Sequence, residues 1–231
     1  MRATEQVSRR TPPSNEIGTS RLETLTDGIF AIAMTILVFG LSIPADVSPQ
    51  GLLGELGKLW PNLLSLIVSF IMLGVYWVAT HTQFRYIRRA DHVLIWFNIF
   101  FLLGVSLVPF SASLLGRFPT ERIAVILYGG NLLFCLAFHY GMWRHATREH
   151  RLVDPDLDPR YIRFGAMLAA FPSVGYTLAI VLSFVNTWAS IILYALVPIP
   201  YILGLFYRRG DNLAGGSPSG AAVHPEANEL E

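Results

Sequence analysis

The chain has 231 residues, of which 53% are hydrophobic and only 14% are charged, and its formal net charge at pH 7 is +1. A soluble domain carries about 25% charged residues, so this composition favours a chain that lies largely in lipid. The small net charge disfavours a nucleic-acid-binding protein, which needs a concentrated basic surface. The single cysteine, Cys135, lies in an apolar segment, where we expect a buried thiol and neither a disulfide nor a metal ligand.

The two ends of the chain are polar and rich in Gly, Pro, Ser and charged residues. Residues 1–18 and 210–231 bury too little apolar surface to fold, so we expect both ends to be disordered. The first 20 residues lack the apolar core of a cleavable signal peptide, and none is expected. The region between the ends, residues 19–209, is predicted to form one membrane domain.

Six continuous apolar blocks fill this region. A helix needs about 20 apolar residues to cross the hydrocarbon core, whereas barrel strands alternate over about ten. We therefore predict an all-α integral membrane bundle of six helices. The fifth and sixth are separated only by Val185 and Asn186 and should form an antiparallel hairpin. The predicted spans are Leu22–Ile43, Leu59–Thr80, His92–Leu115, Arg122–Trp143, Ile162–Phe184 and Thr187–Tyr207.

Basic residues alternate between the two sides of the predicted bundle. With the N-terminus inside, 14 of the 17 Lys and Arg residues fall in inner segments, and only Lys58, Arg117 and Arg122 fall outside. Cytoplasmic segments carry such an excess of basic residues, so we predict that both termini are cytoplasmic. The inner loop 144–161 also holds three aspartates among its arginines, which could form a divalent-ion site. A mixed run of charges is more typical of a solvated polar loop, and we expect the latter.

The first apolar block carries one acidic residue near its start. On a helix, Asp27 lies about 140° around the axis from Ile32, so it would point toward neighbouring helices. Periodicity alone leaves three interpretations of the stripe that contains Ile32: packing within the bundle, lipid contact, or a pore face. The stripe consists of Gly28, Ile32, Thr35, Ile36, Phe39 and Ile43.

Residues 21–40 resemble the first helix of the prokaryotic branch of the transmembrane protein 175 family of potassium channels. That helix opens with Arg-x-x-x-Phe-Ser-Asp and continues with a GxFAIAxTxLV run. This chain has Arg21 and Asp27, with Leu25 in place of Phe and Thr26 in place of Ser. The run is matched by Gly28, Phe30, Ala31, Ile32, Ala33, Thr35, Leu37 and Val38.

Two later blocks strengthen the resemblance. The second block is similar to the family's Trp-x-Asn-His-His-x-x-Phe stretch, although Ala79 and Thr80 depart from it, and the third is similar to its W-x-N…PF pattern. The matching residues are Trp77, His81 and Phe84 in the second block, and Trp96, Asn98, Pro109 and Phe110 in the third.

The resemblance implies a homotetramer in the plasma membrane of a prokaryote, with the first helices lining a central pore for K⁺. The sequence holds no TVGYG carbonyl filter and no arginine ladder, so we expect a leak-type channel with a hydrophobic constriction. By likeness of position, the constriction comprises Ile32, Thr35, Ile36 and Phe39. A polar network between helices would comprise Arg21, Thr26, Asp27, Trp77 and His81. Histidine changes charge near neutral pH, so His81 is a candidate pH-sensitive member of this network.

Other membrane classes remain open at this point. A secondary transporter or a proton-conducting protein would need a polar group at mid-membrane, and His139 is the best candidate, although it could simply bond a neighbouring helix. A haem protein would need facing histidines among His81, His92 and His139. No catalytic Ser/His/Asp set or carboxylate pair is discernible, so we expect no enzyme. Apart from the permeant ion, lipid and other copies of the chain, we expect no cofactor, metal or nucleic-acid partner.

Overall fold

The computed structural model describes residues 19–42 and 51–204, which are almost entirely helical. Within them, extended pairing is limited to isolated bridges such as the antiparallel one between Ile87 and Val153. The all-α prediction is therefore confirmed. The predictions for residues 1–18 and 210–231, and for Ile43, lie outside the described residues. The helices are α1 (Thr19–Ile36), α2 (Leu52–Lys58), α3 (Trp60–Tyr86), α4 (His92–Arg117), α5 (Arg122–Thr147), α6 (Pro159–Leu182), α7 (Thr187–Leu196) and α8 (Ile199–Ile202).

Five helices of the described part are long and apolar enough to cross a membrane. They correspond to the first five predicted spans and run over Thr19–Gly40, Trp60–Tyr86, His92–Arg117, Arg122–His150 and Pro159–Leu182. The first and fourth include short 3₁₀ turns at Leu37–Gly40 and Arg148–His150. The sixth span is present but discontinuous, because α7 and α8 are separated at Val197 and Pro198. A proline cannot donate a backbone hydrogen bond, so Pro198 and Pro200 interrupt the helix.

The centre of the bundle is the pair α4 and α5. Helix α4 also contacts α1 and α3, while α5 also contacts α6 and α7. Small residues permit close approach: a side chain at Gly129 would meet the hydroxyl of Tyr194 and the side chain of Ile180. Cys135 is a fully buried free thiol, as predicted.

Several buried hydroxyl groups of these helices are paired across helix interfaces. Ser65 donates to the carbonyl of Ala112 at 2.6 Å, and Tyr76 donates to the carbonyl of Leu132 at 2.9 Å. Tyr194 likewise donates to the carbonyl of Val125 at 3.1 Å. Inside a bilayer no water satisfies such groups, so these bonds are part of what holds the helices in register.

The connections gather at two opposite ends of the bundle. At one end, the backbone N–H of Arg88 donates to the carbonyl of Leu152 at 2.8 Å, joining the α3–α4 loop to the α5–α6 loop. At the other end, Trp60 stacks on Trp188 with ring centroids 5.2 Å apart. Successive long helices from α3 to α6 therefore alternate in direction. The α6–α7 hairpin is confirmed, with Asn186 capping α7.

Candidate functional site

Helix α1 has a narrow buried face that packs on α3 and α4. Its buried residues recur every three or four positions, which is the spacing of one helix face. The Phe30 ring, for example, lies 5.9 Å from the Phe101 ring of α4. The face consists of Leu22, Thr26, Phe30 and Ala33, and it continues to Leu37 in the 3₁₀ turn.

The predicted stripe occupies the opposite face of α1 and is exposed in the single chain. The exposed fractions are 56% for Ile32, 43% for Ile36 and 76% for Phe39. The interpretation that this stripe packs inside its own bundle is therefore wrong. This apolar surface on a membrane-spanning helix can therefore contact lipid, contact other copies of the chain, or line a central pore.

One hydroxyl interrupts this apolar surface. Thr35 is exposed and donates its hydroxyl proton to the carbonyl of Ile32 in the preceding turn at 2.8 Å. That bond uses the proton and leaves the oxygen lone pairs accessible, so the hydroxyl can serve as a weak cation ligand. Beyond Ile36 the helix tightens into a 3₁₀ turn, where successive residues rotate by about 120°. Side chains at i and i+3 eclipse in such a turn, so Phe39 lies in line with Ile36 and stays on the exposed stripe.

Part of the predicted polar network is assembled at the start of α1. The indole N–H of Trp77 on α3 donates to the carboxylate of Asp27 at 2.8 Å. The Trp77 ring also stacks on His81, with centroids 5.9 Å apart and planes 23° apart. Asp27 thus points to a neighbouring helix, in agreement with the angle derived from the sequence.

Thr26 and Arg21 are not part of this assembly. Thr26 is buried on the other side of α1, where Asn98 of α4 donates to its hydroxyl at 3.2 Å. Arg21 is exposed and makes no ion pair within the described residues. Sequence reasoning missed the Thr26–Asn98 pair, although both positions carry the family resemblance and are polar residues within apolar blocks.

A second polar contact joins the N-terminus of α4 to the end of α5. Asp91 caps α4 by accepting from the backbone N–H of Leu94 at 2.8 Å, and His145 lies 2.8 Å from its other carboxylate oxygen. Partial burial alone would raise the pKa of Asp91, but the Leu94 bond and the nearby His145 and Arg151 outweigh it. The pKa of Asp91 therefore lies below its ordinary value.

The other sequence-predicted polar residues have local partners. His139 contacts Gln83 on α3, with 3.4 Å between the ring Nδ1 and the amide nitrogen, so an interhelical bond is observed at this position. In the 144–161 loop, Asp154 and Asp158 accept from backbone N–H groups of residues 156 and 160. Within the described ranges, no three His, Cys, Asp or Glu side chains cluster in a manner suited to a metal ion.

These features define a multi-pass α-helical membrane protein whose first helix presents an unpartnered apolar face. Residues 21–109 match the profile of the family described as endosomal/lysosomal potassium channel TMEM175. The chain is 32% identical over 191 residues to a potassium channel of Streptomyces collinus, covering 81% of this chain and 92% of that protein. It is also 32% identical to a potassium channel of Chamaesiphon minutus, over 87% of this chain and 98% of that protein.

A solved structure agrees with these relatives. The crystal structure of a lysosomal potassium-selective channel TMEM175 homologue from Chamaesiphon minutus superposes with a TM-score of 0.71 at 30% identity, covering 84% of this chain and 98% of that one. The chain belongs to the TMEM175 family. This confirms the resemblance and the six-helix membrane bundle. Because the family is one of ion channels, the expectation that the chain is not an enzyme is also confirmed.

Proposed function

We propose that the chain is a potassium-selective, leak-type cation channel whose α1 helices line a pore shared by four copies. The exposed apolar stripe of α1 carries this proposal, because its own bundle leaves this surface uncovered and four copies can bring it together around a shared axis. The names of the Streptomyces and Chamaesiphon relatives support K⁺ as the permeant ion. Family membership supports assembly from several copies of the chain.

In this arrangement, Ile32 and Ile36 form successive apolar rings one helical turn apart, and Phe39 forms a third. A narrow apolar ring is a barrier because an ion must lose part of its hydration shell to pass, and such rings gate by dewetting. K⁺ holds its water less tightly than Na⁺ and crosses at lower cost. Thr35 places a ring of hydroxyl oxygens beside Ile36, where they partly replace the lost water.

The polar contacts at the start of α1 hold this pore helix in position. The Asp27–Trp77 bond fixes α1 against α3, and the buried Thr26–Asn98 pair fixes it against α4. Arg21 and His81 are exposed in the single chain, so we assign them to contacts between subunits. We place the end that holds the α3–α4 and α5–α6 loops in the cytoplasm of a prokaryotic cell, because most of the arginines lie there.

Ion flux into liposomes with wild type and Ile36→Asn tests the pore assignment. We expect wild type to pass K⁺ faster than Na⁺. Ile36→Asn should raise both fluxes and reduce the preference for K⁺, because an amide wets the apolar ring. Val38→Asn is the matched control: it places the same side chain on the same exposed segment but off the stripe, and it should leave selectivity unchanged. An Ile36→Asn protein with wild-type flux and selectivity would contradict the proposal.

The same liposomes separate a channel from the competing functions. A transporter saturates with substrate and couples its flux to a second ion, whereas a channel shows single-channel current steps in planar bilayers. A pH-sensitive dye inside the vesicles reports proton entry in the absence of a K⁺ gradient. Proton flux that persists while K⁺ flux is absent would replace the potassium assignment with the proton-conducting one.

A further inference from the structure

Two loops at the arginine-rich end of the bundle are joined into one junction. The α3–α4 loop holds Arg88 and Arg89, and the backbone N–H of Arg88 donates to the carbonyl of Leu152 in the α5–α6 loop at 2.8 Å. The guanidinium of Arg89 donates to the carbonyl of Arg151 at 3.5 Å, across 62 residues of sequence. These contacts hold the two loops side by side and bring their arginines to one place on the surface.

The turn that follows α5 has an uncommon backbone conformation. Glu149 and His150 have φ angles of 55° and 53°, in the left-handed region that residues other than glycine seldom adopt. Two contacts hold the turn there: the N–H of Arg151 donates to the carbonyl of Arg148 at 3.0 Å, and Nε2 of His150 lies 3.2 Å from the carbonyl of Leu157. The backbone that carries Arg148, Glu149 and Arg151 is thus fixed, and these three residues line an open cavity of about 380 Å³.

Arginines outnumber carboxylates at this junction, and most of their donors are not used. Arg88 and Arg151 have exposed side chains, and neither makes an ion pair within the part of the chain that the structure describes. Arg148 lies 3.8 Å from Glu149, but both side chains are largely exposed, and an exposed pair of this kind contributes little. The other carboxylates nearby already accept from backbone N–H groups; they are Asp91 and Asp154. The junction therefore offers several guanidinium groups to an anion.

The junction lies at the depth of the lipid headgroups. Below it, the Tyr86 ring of α3 contacts Trp143 of α5 and Tyr161 of α6, with centroids 6.5 and 4.6 Å apart. Trp and Tyr are enriched at the boundary between hydrocarbon and headgroups. At 1.5 Å per residue, the end of α5 at Thr147 lies about 6 Å beyond Trp143, and the headgroup layer is about 5–7 Å thick on each side. Arg148 and its neighbours are therefore level with the lipid phosphates.

We propose that this junction is a binding site for the phosphate of an anionic phospholipid in the adjacent leaflet. A guanidinium presents two parallel N–H donors to a phosphate, and basic pockets at the ends of membrane helices bind anionic headgroups. Arg88, Arg148 and Arg151 supply the donors, while Arg89 keeps the two loops together. A zwitterionic headgroup also carries a cationic amine, which offsets the attraction of its phosphate, so the site distinguishes the two lipid classes by net charge.

Titration of the purified full-length protein with single phospholipids tests the proposal, with native mass spectrometry as the readout. Phosphatidylglycerol and phosphatidylcholine with identical acyl chains are compared. An arginine close to an anionic lipid contributes about fivefold in affinity, so the wild-type protein should bind phosphatidylglycerol at least about tenfold more tightly. Equal binding of the two lipids would overturn the proposal. Glycerol 3-phosphate carries the phosphate without acyl chains; if it displaced the lipid at equal concentration, the site would belong to a soluble phosphate instead.

Variants then locate the site. Arg148→Gln and Arg151→Gln each remove one charge from the junction and should weaken phosphatidylglycerol binding about fivefold, while phosphatidylcholine binding stays unchanged. Both side chains are exposed, so the fold does not depend on them. Arg163→Gln is the matched control, since it removes an exposed arginine of α6 at the same end of the bundle but outside the two loops. Equal losses in all three variants would indicate diffuse attraction to the basic end and would overturn the site, as would no loss in either junction variant. None of these outcomes depends on ion conduction.

Discussion

Adjacent residues at the start of α1 face opposite environments. Thr26 is buried against Asn98, while Asp27 is exposed and accepts from Trp77. A rotation of about 100° per residue separates them and places one in the core of the bundle and the other on its outer face. The first contact therefore concerns folding of a single chain, and the second lies where another subunit can adjoin it.

Asp27→Ala is expected to weaken assembly, because it frees Trp77 and loosens α1 against α3. The bond lies within one chain, so its loss of about 1 kcal/mol acts on assembly through the position of α1, and we expect a lower tetramer-to-monomer ratio. Native mass spectrometry of the protein released from mild detergent measures this ratio. Asp27→Asn retains an acceptor oxygen for the indole and serves as the control. Unchanged assembly in Asp27→Ala would contradict a role for this contact in assembly.

At the residue scale, the sequence correctly predicted on which side of α1 each residue lies, but not every hydrogen bond that these residues make. Helical periodicity placed Ile32, Ile36 and Asp27 correctly relative to the axis of α1, because an α-helix has a fixed rotation. It could not pair Thr26 with Asn98, because that contact depends on how α1 and α4 cross. Phe39 also lies on the exposed face, although the change to 3₁₀ geometry after Ile36 leaves no mark in the apolar pattern.

At the scale of elements, close packing of α5 against α6 and α7 depends on Gly129. A methyl group there would meet the Tyr194 hydroxyl and Ile180, so Gly129→Ala should destabilise the protein by about 1–3 kcal/mol. Gly130 is the matched control: it is exposed, and a methyl group there meets nothing within 4 Å. Gly130→Ala should leave stability unchanged or raise it by up to about 1 kcal/mol. Thermal unfolding in detergent compares the two, and equal melting temperatures would refute this packing.

The Asp91–His145 contact between α4 and α5 should make stability depend on pH in the acidic range. The pKa of Asp91 is lowered by folding from its ordinary 3.8, so its contribution is fully present above that value. The contribution is lost as the pH falls through the lower folded-state pKa. Asn can still cap the helix but cannot ionise, so the Asp91→Asn protein should lose less stability than wild type on acidification. Melting curves recorded from about pH 6 downward measure this, and parallel losses would disprove it.

Helix boundaries were the weaker part of the prediction from sequence. Apolar content ends before the helix does: α3 continues past Thr80 to Tyr86, and α5 continues past Trp143 to Thr147. Their final turns are polar or aromatic, because a helix that leaves the hydrocarbon can continue through the headgroup region. The break at Val197 and Pro198 followed from proline chemistry and was predictable, whereas the short helix α2 carries too weak a pattern to be recognised.

At the scale of the molecule, contacts sort the connections into two ends that match the charge pattern. Ile87 pairs with Val153 at the arginine-rich end, and the side chain of Arg122 reaches the carbonyl of Ser183 at the other. Composition and length were sufficient to predict that the connections alternate between the two ends. Each membrane-spanning helix carries the chain from one side of the membrane to the other, so successive connections lie on opposite sides. Subunit number and the pore axis could not be derived in the same way, since no property of one chain fixes how several copies meet.

Cysteine labelling tests which end faces the cytoplasm. Phe118 lies in the turn between α4 and α5, and Arg148 lies just after α5 at the opposite end; both are exposed. The native Cys135 is fully buried and should not react, so each variant adds one reactive thiol to an unlabelled background. With the arginine-rich end inside, a membrane-impermeant maleimide should label Phe118→Cys on intact cells and Arg148→Cys only after permeabilisation. The reverse labelling pattern would contradict this orientation. It would place 14 of the 17 Lys and Arg residues outside the cell, against the usual charge bias.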